Sequence, residues 1–299
     1  MLAEEIGRRG AYIAVCGRDE DAADAAGRRL ARVGEVLVHR GDLGRRDEAE
    51  RFVERFVERV VTEWGRIDVL INNAGVIQVS PLASLRIESL EEAMRSSFWS
   101  AAYLTFAALP HPGRQRQLRI VNIVSIGGRV AVPHLLAYAA SKLALQGFSE
   151  GLFAELRAAG IPVVTVIPAP MRTGSFYNAE SLGNARAELG WFSLGASLPI
   201  LSIDARRAAR RIVRAAEAGA VELHLGLPSY ALSLLHGIAP RGTQRLMALV
   251  ARLLPRSPGS VTDVRRGREL GSALMKSIFL RLGNNAARRN NESPPEEIR

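Results

Sequence analysis

Short runs of aliphatic and β-branched residues alternate along this chain with longer stretches of helical periodicity. Strands that alternate with helices need crossover connections, and such connections produce a parallel sheet. The runs are almost continuously apolar, as expected for strands covered by helices on both faces. The sequence therefore predicts a doubly wound α/β fold. The predicted strands are residues 11–17, 35–39, 68–72, 119–124, 162–167 and 221–225, and the clearest helices are 47–64 and 87–109.

Composition limits the class of protein. The 299 residues, 47% of them hydrophobic and 23% charged, suit one large domain with an extension. No apolar run approaches the roughly 20 residues of a membrane helix, and the first residues lack a signal peptide, so we expect a cytoplasmic protein without a transmembrane segment. A single cysteine, Cys16, excludes an intramolecular disulfide and a cysteine-based zinc site, and we expect no metal.

The net charge of +10 is spread over basic residues that are mixed with acidic ones, so we expect no nucleic-acid partner. Only Lys142 and Lys276 are lysines among the 40 basic residues. In a chain that uses arginine almost everywhere, each lysine invites a chemical explanation.

One segment carries residues suited to proton transfer. Ser125 follows a predicted buried strand, and a Tyr-x-x-x-Lys pair, Tyr138 and Lys142, begins thirteen residues later. Positions four apart share one face of a helix. We therefore expect the Lys142 ammonium to lie beside the Tyr138 hydroxyl and to lower the pKa of the phenol. Tyr138 could then exchange a proton with a carbonyl or alcohol oxygen that Ser125 also hydrogen-bonds, while a hydride moves at the carbon.

The sequence resembles the classical short-chain dehydrogenase/reductase family from residue 1 to about 225. Several motifs occur in the family's order: Asn72-Asn73-Ala74-Gly75, Ser125, Tyr138-Ala139-Ala140-Ser141-Lys142, and the segment from Pro168 to Thr173. The resemblance implies a Rossmann-like domain, a nicotinamide cofactor, a small alcohol or carbonyl substrate, and a homo-oligomer.

The resemblance also implies roles for individual residues. Tyr138 would be the general acid/base, and Lys142 would also hold the nicotinamide ribose. Thr173, after Pro168, would reach the carboxamide of the nicotinamide. On the adenosine side, the resemblance implies Asp42 with Leu43 against the adenine, and Asn72, Ala74 and Gly75 beside them.

The sequence departs from the family pattern at its start. The family begins with a strand and a glycine-rich T-G-x-x-x-G-x-G turn that binds pyrophosphate, whereas this chain opens on what looks like the end of the following helix. We expect the first, central strand and the glycine-rich loop to be missing. Either the true start lies upstream of Met1, or the chain is a truncated relative without catalysis.

Two smaller departures lie near the expected site. Ser97 stands where the family usually has an asparagine that helps relay protons to the lysine, and a hydroxyl cannot serve both sides as an amide can. Ala169 replaces the usual glycine after Pro168. Both changes bear on turnover more than on membership of the family.

The choice of cofactor depends on the residues after the strand at 11–17. An acidic side chain at the strand tip would bind the ribose 2′-hydroxyl and favour NAD, whereas arginine suits a 2′-phosphate. The tip here is Gly17-Arg18, with Asp19 one step beyond. We expect NADP, with NAD and a solvated Arg18 as the alternative.

The residues after the catalytic segment suggest a substrate region and an extension. Residues 174–200, with four aromatic side chains, either line a largely apolar substrate pocket or pin a loop to the core, and His134 either lines its mouth or is an ordinary loop residue. The predicted domains are 1–228, the catalytic domain; 229–256, an amphipathic helical extension; and 257–299, a basic, flexible tail. The helix at 244–255 would pack on the domain, on another subunit or peripherally on a membrane.

Three functional classes follow. The chain is an NADP-linked oxidoreductase, a non-catalytic relative that binds other molecules, or a fragment without a stable fold.

Overall fold

The computed structural model describes residues 1–41, 46–111, 118–256, 264–269 and 281–289. The strands are β1 (Ile13–Gly17), β2 (Val36–Arg40), β3 (Val69–Asn72), β4 (Gln78–Val79), β5 (Arg119–Ile123), β6 (Val163–Pro168), β7 (Met171–Arg172), β8 (Glu180–Ser181), β9 (Ile203–Asp204), β10 (Glu222–Leu225) and β11 (Arg265–Arg266). The α-helices are α1 (Leu2–Gly7), α2 (Glu20–Leu30), α3 (Arg46–Trp64), α4 (Ile87–Met94), α5 (Ser100–Ala108), α6 (Leu136–Leu156), α7 (Ser175–Asn178), α8 (Ala185–Ser197), α9 (Ala205–Ala218), α10 (Leu227–Ile238), α11 (Pro240–Ala251) and α12 (Arg281–Arg289).

All six predicted strands form, as β1, β2, β3, β5, β6 and β10. Four of them make a parallel sheet in the order β10-β6-β5-β3, which we call the main sheet. The other two make a separate parallel pair, the β1–β2 pair. The parallel strands and their helical crossovers confirm the doubly wound, Rossmann-like α/β fold.

A groove separates the β1–β2 pair from the main sheet. Within the described residues, β1 hydrogen-bonds only to β2, and β3 hydrogen-bonds only to β5. The groove between them has a volume of about 850 Å³, and residues of both strands line it. Backbone edges of two parallel strands therefore face this space.

The predicted helix 87–109 forms with an irregularity. Between α4 and α5 lies a π-helical segment, Arg95–Trp99, so the chain is helical from Ile87 to Ala108 but has one wider turn. Such segments are rare and occur often at functional sites. This one contains Ser97, one of the residues in the expected site.

The C-terminal region differs from the expected flexible tail in two places. β11 pairs antiparallel with β8, and α12 packs against α8. The Tyr177 hydroxyl donates a hydrogen bond of 2.9 Å to Oδ1 of Asn284 in α12. Of the rest of the predicted tail, only Val264 and the 3₁₀ turn Gly267–Glu269 are described. The predicted extension at 229–256 corresponds closely to α10 and α11.

Among the residues that the structure describes, no helix is long and apolar enough to cross a membrane.

Candidate active site

The catalytic segment begins at the carboxyl end of β5. Ser125 lies two residues beyond the last residue of β5, and its Oγ accepts a hydrogen bond of 3.1 Å from the backbone N–H of Gly127. Tyr138 lies in the first turn of α6 and hydrogen-bonds Ser125 through its hydroxyl. A Cβ atom at Gly127 would lie 3.3 Å from Cε1 of Tyr138, so the small residue lets the turn approach the ring. The structure therefore brings the two hydroxyls together.

Lys142 differs from the prediction in its partner. Its side chain is buried, and Nζ donates a hydrogen bond of 2.9 Å to the carbonyl oxygen of Ile123 in β5. Burial lowers the pKa of Lys142 to about 8. The pKa of Tyr138 is raised by burial, which the Ser125 hydrogen bond opposes, rather than lowered by the ammonium. The expected lowering was wrong because sequence spacing could not show that β5 offers Lys142 an acceptor.

Ser97 lies beside the lysine. Ser97 is 1% exposed, and its hydroxyl has no hydrogen-bond partner among the residues that the structure describes. A Cβ atom at Gly75 would lie 2.9 Å from Oγ of Ser97 and 3.3 Å from Nζ of Lys142. Gly75 therefore leaves space where a hydroxyl and an ammonium converge. A buried hydroxyl without a partner is energetically unfavourable, so this space suits a polar group.

Asn72 takes part in a row of buried polar side chains. Its Nδ2 donates to Oδ1 of Asn122 in β5 at 2.8 Å and to Oγ1 of Thr105 in α5 at 3.2 Å. Asn122 in turn donates to Ser149, whose hydroxyl shares a hydrogen bond with Thr165. Asn72, Asn122 and Thr165 are in register on neighbouring strands. The amide of Asn72 therefore belongs mainly to a buried polar row under the site, although the residue also borders the groove.

The residues expected around the adenosine are only partly brought together. Arg18 follows β1 and forms an ion pair with Glu92 of α4. Asp19 caps α2, with its side chain accepting a hydrogen bond of 2.9 Å from the N–H of Ala22. Ala74 borders the groove. Asp42 and Leu43 lie outside the described residues.

On the nicotinamide side, Pro168 ends β6 and is buried. Thr173 follows β7, and its Oγ1 accepts a hydrogen bond of 3.1 Å from the N–H of Ser175. Ala169, the departure from the family's glycine, is buried beside Gly226, where an added Cβ would lie 3.0 Å from the Ala169 Cβ. The methyl group of Ala169 therefore fits because residue 226 has none.

Sequence analysis did not predict the hydrogen bonds that link His134 to Glu188 and Trp191 of α8. Nδ1 of His134 lies 2.9 Å from Oε2 of Glu188 in α8, and Nε1 of Trp191 donates to the same oxygen at 2.8 Å. Glu188 is fully buried. His134 has φ +63°, a left-handed conformation that is unfavourable for most residues. Because the pair is 54 residues apart, only the fold could reveal it.

The aromatic residues of 174–200 fall into two groups. Phe176 is 1% exposed and belongs to the core, as the loop-pinning alternative predicted. Tyr177, Trp191 and Phe192 are partly exposed. The region therefore combines a pinned start with a partly open aromatic surface on α8.

A nicotinamide cofactor fits one end of this site. The unpartnered hydroxyl of Ser97, the Nζ of Lys142 and the open space at Gly75 offer polar groups to a ribose. Thr173 lies on the loop after β6. Among the described residues that border the groove, no glycine-rich turn precedes a helix of eight or more residues. These residues therefore offer no glycine-rich loop to bind the diphosphate of the cofactor.

Comparisons with known proteins identify the family of this chain. The family model for short chain dehydrogenases matches residues 1–181. A protein of Arabidopsis thaliana, 11-beta-hydroxysteroid dehydrogenase-like 4A, is 33% identical over 177 residues, which are 58% of this chain and 57% of that protein. The 3-ketodihydrosphingosine reductase of Bacteroides thetaiotaomicron is 38% identical over 122 residues, 41% of this chain and 45% of that protein.

A solved structure of a short-chain dehydrogenase from Streptomyces avermitilis superposes with a TM-score of 0.66 and 25% sequence identity, covering 84% of this chain and 92% of that one. The chain thus aligns with about half the length of the curated relatives described above.

Proposed function

Because this chain belongs to the short-chain dehydrogenase family, we propose that it transfers a hydride between NADP(H) and a largely apolar alcohol or carbonyl compound. The observation that carries the proposal is the pair of hydroxyls, Ser125 and Tyr138, hydrogen-bonded to each other, with the buried Lys142 one turn further along α6. Two hydroxyls held side by side can both contact one substrate oxygen. A proton donor must lie within hydrogen-bond reach of the oxygen that it protonates.

The proton chemistry rests on Tyr138. Because burial raises the pKa of the phenol, Tyr138 keeps its proton in neutral solution and can donate it to a carbonyl oxygen as negative charge develops there. Ser125 stabilises the same oxygen by a hydrogen bond. The bound nicotinamide would supply or accept the hydride.

Lys142 lies one turn after Tyr138 on α6. With a pKa near 8, its side chain is mainly protonated in neutral solution and can donate hydrogen bonds to a hydroxyl of the cofactor. The space beside Gly75 and Ser97 lets a hydroxyl of the cofactor ribose reach the ammonium.

The cofactor proposal rests on the residues after β1. Asp19 already caps α2 and is therefore poorly placed to bind ribose hydroxyls. Arg18 carries the positive charge that a 2′-phosphate needs. The phosphate would replace Glu92, the present ion-pair partner of Arg18. These points favour NADP over NAD.

The proposed substrate class follows from the partly exposed aromatic residues of α8 and from the names of the relatives. Proteins named for hydroxysteroids and for a ketodihydrosphingosine are similar to this chain, and both names describe largely apolar compounds.

The test is Tyr138→Phe in the purified chain. We expect carbonyl reduction with NADPH to fall at least about a hundredfold, because the proton donor is lost, while NADPH binding, measured by calorimetry beside NADH, changes little. Tyr230→Phe, which removes the hydroxyl of a side chain that is 56% exposed on α10, is the matched control and should keep its rate. Turnover of Tyr138→Phe near the wild-type rate would remove Tyr138 from this role, and a wild-type chain that binds neither cofactor would favour the non-catalytic alternative.

A further inference from the structure

Helix α10 turns an apolar face to solvent. Leu227, Tyr230, Leu234 and Ile238 follow one another at spacings of three and four residues, which places them along one side of the helix. Leu227 is 76% exposed and Ile238 75% exposed. In an ordinary amphipathic helix this stripe would face the core. Ser229 is the only buried residue of α10.

Helix α11 continues the apolar surface. It follows α10 after the single residue Ala239 and packs against it. Leu246, Leu249 and Leu253, again at spacings of three and four, are exposed, and Leu253 is 85% exposed. We call residues 227–256 the helix pair. Its two exposed stripes form an apolar surface larger than isolated exposed side chains would give.

The charge of the helix pair has one sign. Residues 227–256 contain no aspartate or glutamate, whereas the whole chain has 30 acidic residues. Four arginines of the pair are exposed, and none forms an ion pair with a described acidic residue: Arg241, Arg245, Arg252 and Arg256. Arg245 lies one turn before Leu249, so guanidinium groups flank the apolar stripe. Long basic side chains beside an apolar helix face are typical of helices lying in a lipid interface.

The helix pair is anchored beside the candidate active site. Oγ of Ser229 donates a hydrogen bond of 2.6 Å to the carbonyl oxygen of Ile167 in β6. Gly226, just before α10, adjoins Ala169, and α10 also contacts the 3₁₀ turn Ile126–Gly128 that follows Ser125. The start of the apolar surface is therefore fixed to the two loops that form the site.

We propose that the helix pair docks this protein on the surface of a membrane that contains anionic lipids. The leucines would enter the acyl boundary, and the arginines would pair with lipid phosphates. Each helix has 12 residues, or about 18 Å of length, which suits helices lying in the interface.

A second copy of the chain fits this surface less well. A symmetric dimer sets the same patch against itself, so the arginines of one helix pair would face those of the other without an acidic residue from either. An anionic lipid surface satisfies both the apolar stripes and the positive charge. Charge complementarity thus selects the membrane.

Docking would also serve the site described above. An apolar substrate dissolved in lipid could reach the loops around Ser125 and Ala169 without crossing water. This consequence rests on the proposed function, whereas the docking itself does not.

The test is co-sedimentation of the purified full chain with vesicles of phosphatidylcholine, with and without phosphatidylglycerol, in the absence of cofactor and substrate. We expect binding to the anionic vesicles that is at least about tenfold stronger than to neutral ones and that weakens with salt. The double variant Ile238→Glu with Leu253→Glu should lose at least about tenfold of this binding, because charged groups replace inserted side chains.

The matched control is Leu82→Glu with Ile87→Glu, which alters two side chains that are 75% and 63% exposed outside the helix pair. This variant should bind like the wild type. Circular dichroism of both variants and light scattering of the wild type accompany the assay. A helix-pair variant that loses its fold is replaced by Arg241→Gln with Arg245→Gln, which should weaken anionic binding alone.

Equal binding of wild type and folded helix-pair variant would overturn the proposal. Failure of the wild type to bind vesicles would also overturn it. This includes the case in which the wild type is a dimer and the helix-pair variant is a monomer. Because no step of the assay involves catalysis, its result is separable from that of the Tyr138→Phe experiment.

Discussion

The main sheet and the β1–β2 pair are made from similar apolar sequences, yet they bury those sequences to different extents. All six residues of β6 are buried, and four of the five in β5. In β1 only Ile13 is buried, and in β2 only Leu37. β5 and β6 have hydrogen-bonded neighbours on both edges, whereas β1 and β2 each pair along one edge within the described residues.

The difference shows that neighbours, more than a strand's own composition, set its burial. It also divides the candidate site. Ser125 follows the well-supported strand β5, which also supplies the acceptor of Lys142, whereas Arg18 follows β1. The proposed proton transfer therefore rests on the better-packed region and the proposed cofactor selection on the less-packed one. The following predictions test that division, starting with the largest effect.

The first concerns the pH dependence of stability. The pKa of Lys142 falls from 10.5 to about 8 on folding, so between these values the unfolded chain holds one more proton than the folded chain. The free energy of unfolding should therefore rise with pH across this window. Lys142→Met should remove about 3 kcal/mol of that rise. The variant should therefore exceed the wild type most in free energy of unfolding below pH 8. Urea unfolding at several pH values measures this.

Cys16 in β1 provides the opposite case. Desolvation of this partly exposed side chain raises the pKa of the thiol from 9.0 to about 11, so stability should fall with rising pH between those values, and Cys16→Ala should remove that fall. If the two variants showed changes of the same sign, the assigned burial of one group would be incorrect.

A second prediction removes the centre of the buried polar row. Asn122→Ala leaves the amide of Asn72 and the hydroxyl of Ser149 each with one partner fewer, and should lower the free energy of unfolding by about 2–3 kcal/mol. On the other side, Glu35→Ala removes an exposed hydrogen bond of 3.0 Å from Trp64 and should cost less than about 1 kcal/mol. Similar losses in chemical unfolding would contradict the contrast between the two regions.

The third prediction compares two equal truncations. Val164→Ala in β6 removes methyl groups from a fully buried site and should cost about 2 kcal/mol, whereas Val15→Ala in β1, which is partly exposed, should cost about 1 kcal/mol. Thermal or urea unfolding of both variants measures the difference. A larger loss at Val15 would mean that β1 is buried more deeply in solution than these contacts indicate.

The strands could be predicted from the sequence because apolar runs of this length are decided locally. The π-helical turn at Arg95–Trp99 could not, since its residues have the same periodicity as the helices around it. An oxygen within reach of both Ser125 and Tyr138 was expected from the sequence, and the structure brings the two side chains together. The Lys142–Ile123 hydrogen bond and the His134–Glu188 pair depend on which side chains the tertiary fold brings into reach, and sequence distance gives no guide to that.

The C-terminal glycines gave a misleading signal for a physical reason. Glycine and arginine content suggested a flexible tail. In the described parts, however, a Cβ atom at Gly267 would lie 2.0 Å from the carbonyl oxygen of Phe176, and one at Gly283 would lie 2.4 Å from Oγ of Ser197. These glycines permit close packing against the domain. Composition alone cannot distinguish that role from flexibility.

The burial of Lys142 has a practical consequence for labelling chemistry. The chain has two lysines, and the amine of Lys142 is enclosed beneath the site and bonded to β5. An amine-selective acylating reagent can reach it only through the space beside Gly75 or when this part of the main sheet opens. The mass of the peptide that contains residue 142 therefore records, in an unmodified natural chain, how often this amine becomes accessible, and a bound cofactor that fills the space should lower the extent of labelling.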